Sequence, residues 1–313
     1  MEEKLNLKNP AVQWLLLGDV SIRWQTFRDL LKSDAETTEN EREKIAETGW
    51  GAKLLAVQDS CGMWSRGLYS PKWTSTTYTM LLLRRLGLQQ NHPQVKKSCQ
   101  LLLDKGFYSD GGINYFGSID YSETCVTGMI LSLLAYFQYS DERIHQLVEH
   151  LLKQQMDDGG WNCQSYNGAR HSSFHTTISA LEGLFEYEKV YPNKFADLKS
   201  AQQHGREFLL IHRLFKSHRT GQVANPVFTR FSFPPRWHYD VLRALDYFRE
   251  TNAERDERLS DAIEIVKKKQ KKDGRWLLQN RHPGRTFFEM ENPGEPSRWN
   301  TLRALRVLKW WES

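Results

Sequence analysis

"LLKQQMDDGGW", residues 151–161, reads as an apolar helical turn, a Gln, three residues, a Gly, one residue and a Trp. The same order stands in "LLAVQDSCGMW" at 54–64 and in "IVKKKQKKDGRW" at 265–276. The matching residues are Gln58/Gly62/Trp64, Gln155/Gly159/Trp161 and Gln270/Gly274/Trp276, and "LLLDKGFYSDGGINYF" at 101–116 is a weaker copy. A helix that ends in a Gly turn, with a Trp folded back over it, fits this order. The Gln is placed to tie the helix end to the following loop.

A second repeat runs out of phase with the first. Apolar helices are expected to begin near Trp24, Trp73, Glu123, Ser173, Trp237 and Trp299, at spacings of 49, 50, 50, 64 and 62 residues. Stretches such as "GMILSLLAYF" are apolar nearly all round, whereas "DERIHQLVEHLLKQQ" is amphipathic. The first kind is buried and the second faces water. Six buried helices ringed by six outer ones predict an all-α protein, a single α6/α6 toroid domain over residues 1–313, without strands of useful length. The two longer spacings hold Gly-, Pro- and Arg-containing segments at 215–235 and 277–296, expected to be ordered surface loops.

The 313 residues carry a formal charge of +5, and the only dense basic run is "KKKQKK" at 267–272. That run reads as a solvated helix end, and no nucleic-acid partner is expected. The first residues lack the basic start and apolar stretch of a signal peptide, and no segment reaches the ~20 apolar residues of a membrane span. Peripheral membrane contact stays open. The four cysteines, Cys61, Cys99, Cys125 and Cys163, show no CxxC spacing and fit a cytoplasmic location.

The turns, the period and the six helix pairs resemble the terpenoid cyclase and protein prenyltransferase superfamily, over nearly the whole chain. In size the chain is similar to prenyltransferase β subunits and to one domain of squalene cyclases. Squalene cyclases start an inner helix with Asp-x-Asp-Asp-Thr, whose middle Asp protonates the substrate. The matching string here is Asp120-Tyr121-Ser122-Glu123-Thr124, with Ser122 in place of the acid. Prenyltransferases place Asp-x-Cys there and a His one inner helix later, together holding Zn²⁺. Glu123-x-Cys125 and, 50 residues on, His175 match that pattern, with Glu for Asp. The resemblance therefore implies a zinc site of Glu123, Cys125 and His175, with His171 as a supporting or substitute ligand. A catalytic zinc keeps one position open for water or substrate. The same residues also suit plainer roles: a small buried thiol, an acidic helix start and a core histidine.

The expected helix starts carry Arg23-Trp24, Lys72-Trp73, Arg170-His171, Arg236-Trp237 and Arg298-Trp299. In parallel inner helices these residues would share one rim with the helix N-termini, which suits an anionic ligand such as a diphosphate. Trp rings, His238 and Tyr239 would form an apolar, cation-tolerant wall. The alternative is that each Trp packs a helix start and each Arg faces water, with Glu289, Glu291 and Glu295 offsetting the charge. Asp120, Glu123 and Asp240 are the candidate catalytic carboxyls. The leading expectation is a prenyltransferase- or cyclase-type enzyme acting on an isoprenoid or similar amphiphilic anion. A non-catalytic ligand-binding or scaffold toroid and a carbohydrate-active α/α toroid stand beside it. The need for a partner subunit stays open.

Overall fold

The computed structural model describes residues 5–313, which are mostly helical. In chain order the α-helices are α1 (Pro10–Leu16), α2 (Val20–Gln25), α3 (Ala35–Glu43), α4 (Gly49–Ala56), α5 (Thr76–Leu86), α6 (Pro93–Gly106), α7 (Thr124–Tyr136), α8 (Arg143–Lys153), α9 (Phe174–Val190), α10 (Leu198–Ile211), α11 (Val241–Glu250), α12 (Ser260–Lys268) and α13 (Arg298–Glu312). A π-helical turn, Thr26–Leu31, continues α2. Two short strands, β1 (Trp276–Leu277) and β2 (Pro296–Ser297), pair antiparallel and tie off the loop between them. Strand pairing was not expected from the sequence.

The two classes of helix read from the sequence are present. Every residue of α13 from Trp299 to Lys309 is buried, whereas α8 buries only one stripe, Ile144, Leu147, Val148, His150 and Leu151. Among the buried helices, α5 packs on α7, α7 on α9, α11 on α13, and α13 on α2. The remaining neighbours meet through polar side chains: Arg243 of α11 reaches Glu182 of α9, and Trp24 and Gln25 of α2 donate to the Leu86 and Arg85 carbonyls ending α5. The amphipathic helices α4, α6, α8, α10, α12 and α1 each lie against one or two of these. The closest crossing is α7 on α9. A Cβ added at Gly128 would stand 2.6 Å from the Ser179 carbonyl oxygen, and one at Gly183 2.5 Å from that of Gly128. Only hydrogen side chains allow that approach.

The turn repeat explains itself atom by atom. Gln58, Gln155 and Gln270 each donate to the carbonyl of the Gly four residues on, at 3.1, 2.7 and 3.4 Å. Gln58 and Gln155 also bond carbonyls of the next amphipathic helix, Gln94 and Ala201. Trp64, Trp161 and Trp276 are fully buried, and each indole N–H donates at 2.7 Å to the carbonyl ten residues back, in Leu54, Leu151 and Val266. Their backbone N–H groups donate to Thr76, Thr177 and Thr301 in the buried helix that follows. The weaker copy keeps this last bond, Ile113 to Thr127. Gly159 sits at φ +88°, which L side chains avoid. One motif thus closes an amphipathic helix and docks the start of a buried one. The "KKKQKK" run is the exposed end of α12, apart from a half-buried Lys269.

Candidate functional site

Four buried helices, α5, α7, α9 and α11, bring their N-terminal ends together. Trp73, three residues before α5, meets the Tyr78 ring edge-on at 4.7 Å and lies 5.9 Å from the His238 ring. His238 is stacked between Trp237, at 3.7 Å, and His282, at 3.8 Å. His175 in the first turn of α9 stands 5.1 Å from Trp237 and 5.8 Å from His238. His282 arrives from the loop between β1 and β2. That loop is held over the cluster where the Trp73 N–H donates to the Arg285 carbonyl, the Arg285 N–H donates to the Lys72 carbonyl, and the Trp73 indole donates to the His282 carbonyl at 3.0 Å. Two cations lie on the aromatic wall: Lys72 Nζ at 5.6 and 5.5 Å from Trp73 and Trp237, and the Arg236 guanidinium at 5.5 Å from Trp73. A cavity of about 40 Å³ opens between Trp73, Phe233, Arg236 and His282.

Burial discharges this cluster. It lowers His175 and His282 to about 4 and His238 to about 3, with neighbouring Arg243 and, for His238, the other two histidines adding to the shift. All three imidazoles are neutral at pH 7. Burial raises the Glu123 carboxyl at the head of α7, against the pull of Lys72. Beside it, contact with Cys163 and burial push the Cys125 thiol well up, while the same contact and the Thr176 hydroxyl bring Cys163 down to about 7. Burial also lowers Arg236 to about 10. The Tyr69 and Tyr78 rings, 5.1 Å apart, extend the aromatic wall toward Glu123 and Cys125, and burial raises both phenols. The result is a half-buried pocket with two neutral imidazoles, His238 and His282, a carboxyl of raised pKa and two cations on indole faces. Shifted groups gathered beside cations and aromatic faces mark a candidate functional site.

The expected zinc ligands do not fit a metal here. Among the described residues no group of three or more His, Cys, Asp or Glu side chains is placed to hold one. His175 Nδ1 accepts the Tyr239 backbone N–H at 2.8 Å, so the neutral ring carries its proton on Nε2 and keeps no free lone pair. His171 is exposed and lies outside the cluster.

The other expected residues scatter for physical reasons. Asp120 is exposed in the loop before α7. Asp240 is buried as the N-cap of α11, accepting from the Arg243 backbone at 2.9 Å and the Ser232 hydroxyl at 2.7 Å. The facing carboxylate pair of a carbohydrate-active site is therefore not formed by these residues. Ser122 donates to Asp110 at 2.6 Å and clamps the preceding turn. The basic rim breaks up: Arg23 bonds Glu41 at 2.5 Å, Arg298 lies on Trp14 at 4.4 Å, and Arg170 is exposed. Trp24 is not a helix start. It lies in the last turn of α2, and its indole donates to the Leu86 carbonyl at the far end of α5. Trp299 is buried against Phe233 at 4.1 Å. Lys72, Trp73, Arg236, Trp237 and His238 remain together, joined by Tyr69, Tyr78, Cys163 and His282, which the repeat did not single out.

No protein-family model matches the chain. No curated protein matches it either. Among solved structures, the chain is similar to a protein from Actinoplanes at 15% identity and a TM-score of 0.49, covering 95% of this chain and 91% of that one. It is also similar to variants of the type II terpene cyclase MstE from Scytonema. One, bound to its product merosterolic acid A, is 16% identical with a TM-score of 0.34. Another, bound to its substrate geranylgeranyl dihydroxybenzoate, is 14% identical with the same TM-score of 0.34. Each match covers 83% of this chain and 94% of the cyclase chain. Among the described residues no helix is long and apolar enough to cross a membrane.

Proposed function

We propose that the protein is an enzyme of the terpene-cyclase or prenyltransferase type, built as a single α6/α6 toroid, that acts on a small amphiphilic anion by acid–base chemistry. The toroid is supported by the succession of contacts α2–α5–α7–α9–α11–α13–α2, with an amphipathic helix against each. The observation that carries the function is the position of Glu123: a half-buried carboxyl at the head of α7, its pKa raised by burial, beside Lys72 and the aromatic wall. An acid to protonate an alkene or leaving group needs a raised pKa, and a developing carbocation is stabilised by aromatic faces. Glu123 thus takes the role that Ser122 cannot. Lys72 and Arg236 hold the anionic end, and a neutral histidine accepts the proton released.

Incubation with geranyl, farnesyl and geranylgeranyl diphosphates tests this by product mass, with Glu123→Gln as the control. Turnover by the wild type, lost in E123Q and weakened in Lys72→Ala through KM, is expected. Neither binding nor turnover with any of the three overturns the reading. Ser122, standing where squalene cyclases carry the acid, favours a second reading, a ligand-binding toroid without chemistry. Binding without turnover would select it.

A further inference from the structure

A second cavity, of about 100 Å³, lies between the last turn of α5 and the α9, α11 and α13 side chains that face it, and shares Phe233 with the first. Arg85 in its wall is nine residues beyond Thr76, the first residue of α5. That places it roughly 13 Å along the axis from the histidine cluster. The lining holds seven guanidinium groups and four carboxylates. Asp29 and Asp240 bind lining arginines from outside, and Lys189 binds Glu186 and Glu250, so eight positive charges face six negative ones. Single carboxylates are shared: Glu182 accepts from both Arg85 and Arg243, and Asp246 from both Arg249 and Arg306. Burial lowers Arg85 to about 10 and lowers Arg303 as well, while neighbouring carboxylates raise Arg84 and Arg306.

Four donors in this lining have no acceptor: Arg84 Nε, Arg303 Nη2, the Trp299 indole N–H and the Tyr247 hydroxyl. Arg303 and Trp299 are only 2% and 1% exposed, and the carboxylates beside Arg303, Asp240 at 4.0 Å from Nη2 and Asp246 at 3.6 Å from Nε, both stand beyond hydrogen-bond reach. Buried donors are almost always satisfied, and guanidinium groups can always donate. Surplus positive charge, orphaned donors and a void of this size converge on one missing partner. The volume equals roughly three water molecules' share of liquid, about the bulk of a tetrahedral oxyanion. Guanidinium pairs bind such anions bidentately. We propose that this cavity binds a phosphate-sized oxyanion, held by Arg84, Arg85 and Arg303 at the end of the cavity away from the histidine cluster. Arg28, whose side chain is 45% exposed, marks the solvent side.

The test uses full-length protein freed of phosphate and sulfate. Calorimetric scans compare inorganic phosphate, sulfate and phenyl phosphate with chloride at matched ionic strength. Phosphate or sulfate at about a hundredfold Kd is expected to raise Tm by about 4 °C, saturably. Phenyl phosphate acting better than phosphate would mark the anion as the head of a larger ligand. Arg303→Gln is expected to abolish the shift. Because that variant risks misfolding, a wild-type crystal soaked in selenate supplies a second readout, an anomalous peak between Arg84 and Arg303. No shift beyond chloride together with no peak overturns the proposal, and so does an undiminished shift in a folded R303Q protein.

Discussion

The two ends of the buried helices solve one problem in opposite ways. At the N-terminal ends, burial removes charge: His175, His238 and His282 lose their protons, and the Glu123 carboxyl is pushed toward its neutral form. Toward the other ends, burial keeps charge and pairs it: Arg85 with Glu182, Arg84 with Glu186, Arg306 with Asp29 and Asp246. The choice follows from side-chain chemistry. Imidazole and carboxyl groups can discharge within a few pH units, whereas guanidinium cannot and must be given a partner. One end therefore gathers discharged groups and the other permanent charge.

The largest expected effect comes from unpairing the charged end. Glu182→Gln leaves Arg85 and Arg243 buried without their shared carboxylate and should cost about 3–5 kcal/mol in urea unfolding. A loss under about 1 kcal/mol would mean that pairing does not hold that end. Next is pH. A histidine with a depressed folded pKa adds nothing above the unfolded value of about 6.5 and costs stability as pH falls from there toward its folded value. The wild type should thus lose stability between pH 6.5 and 4, before the carboxylates of the charged end, held below their ordinary values, begin to lose theirs under about pH 4.5. His238→Phe, which keeps the stacking, should remove about 1.4 kcal/mol per pH unit from that slope. Unchanged slopes in H238F would break the contrast. The smallest effect is kinetic. In a Cys61→Ser background, iodoacetamide should label Cys163 with a midpoint near pH 7, since contact with Cys125 lowers it, and leave Cys125 unlabelled. Equal labelling of both would show that the thiol pair is not polarised.

Much of this was legible in the chain. The Gln, Gly and Trp of each turn act within about ten residues of one another, so their pattern survives in sequence. The mis-phased first unit has a local cause: α2 starts at the Asp19 cap, whose carboxylate accepts from Ser21 and Trp50 backbones, four residues earlier than a Trp-based register places it. His282 left no periodic trace because it lies in a long loop and reaches His238 only through the backbone pairing of Lys72 with Arg285. The charged network did leave a trace. "LRAL" occurs at 242–245 and again at 302–305, with Arg243 and Arg303 inside otherwise apolar helices. A cation at such a position demands a buried partner, and the apolar pattern around it drew attention away.

By itself the sequence determined a helical repeat, its Gly-turn closures and which helices are buried, because periodicity and turn chemistry act through near neighbours. Only the tertiary structure decided that Lys72 and Arg236 share one aromatic wall while Arg23 and Arg298 turn to Glu41 and Trp14. It alone also decided which buried groups discharge and which pair. Desolvation and Coulomb energy depend on groups brought from distant parts of the chain: His175 feels His282, 107 residues later, and Arg306 is held by Asp29, 277 residues earlier. No local pattern encodes those distances.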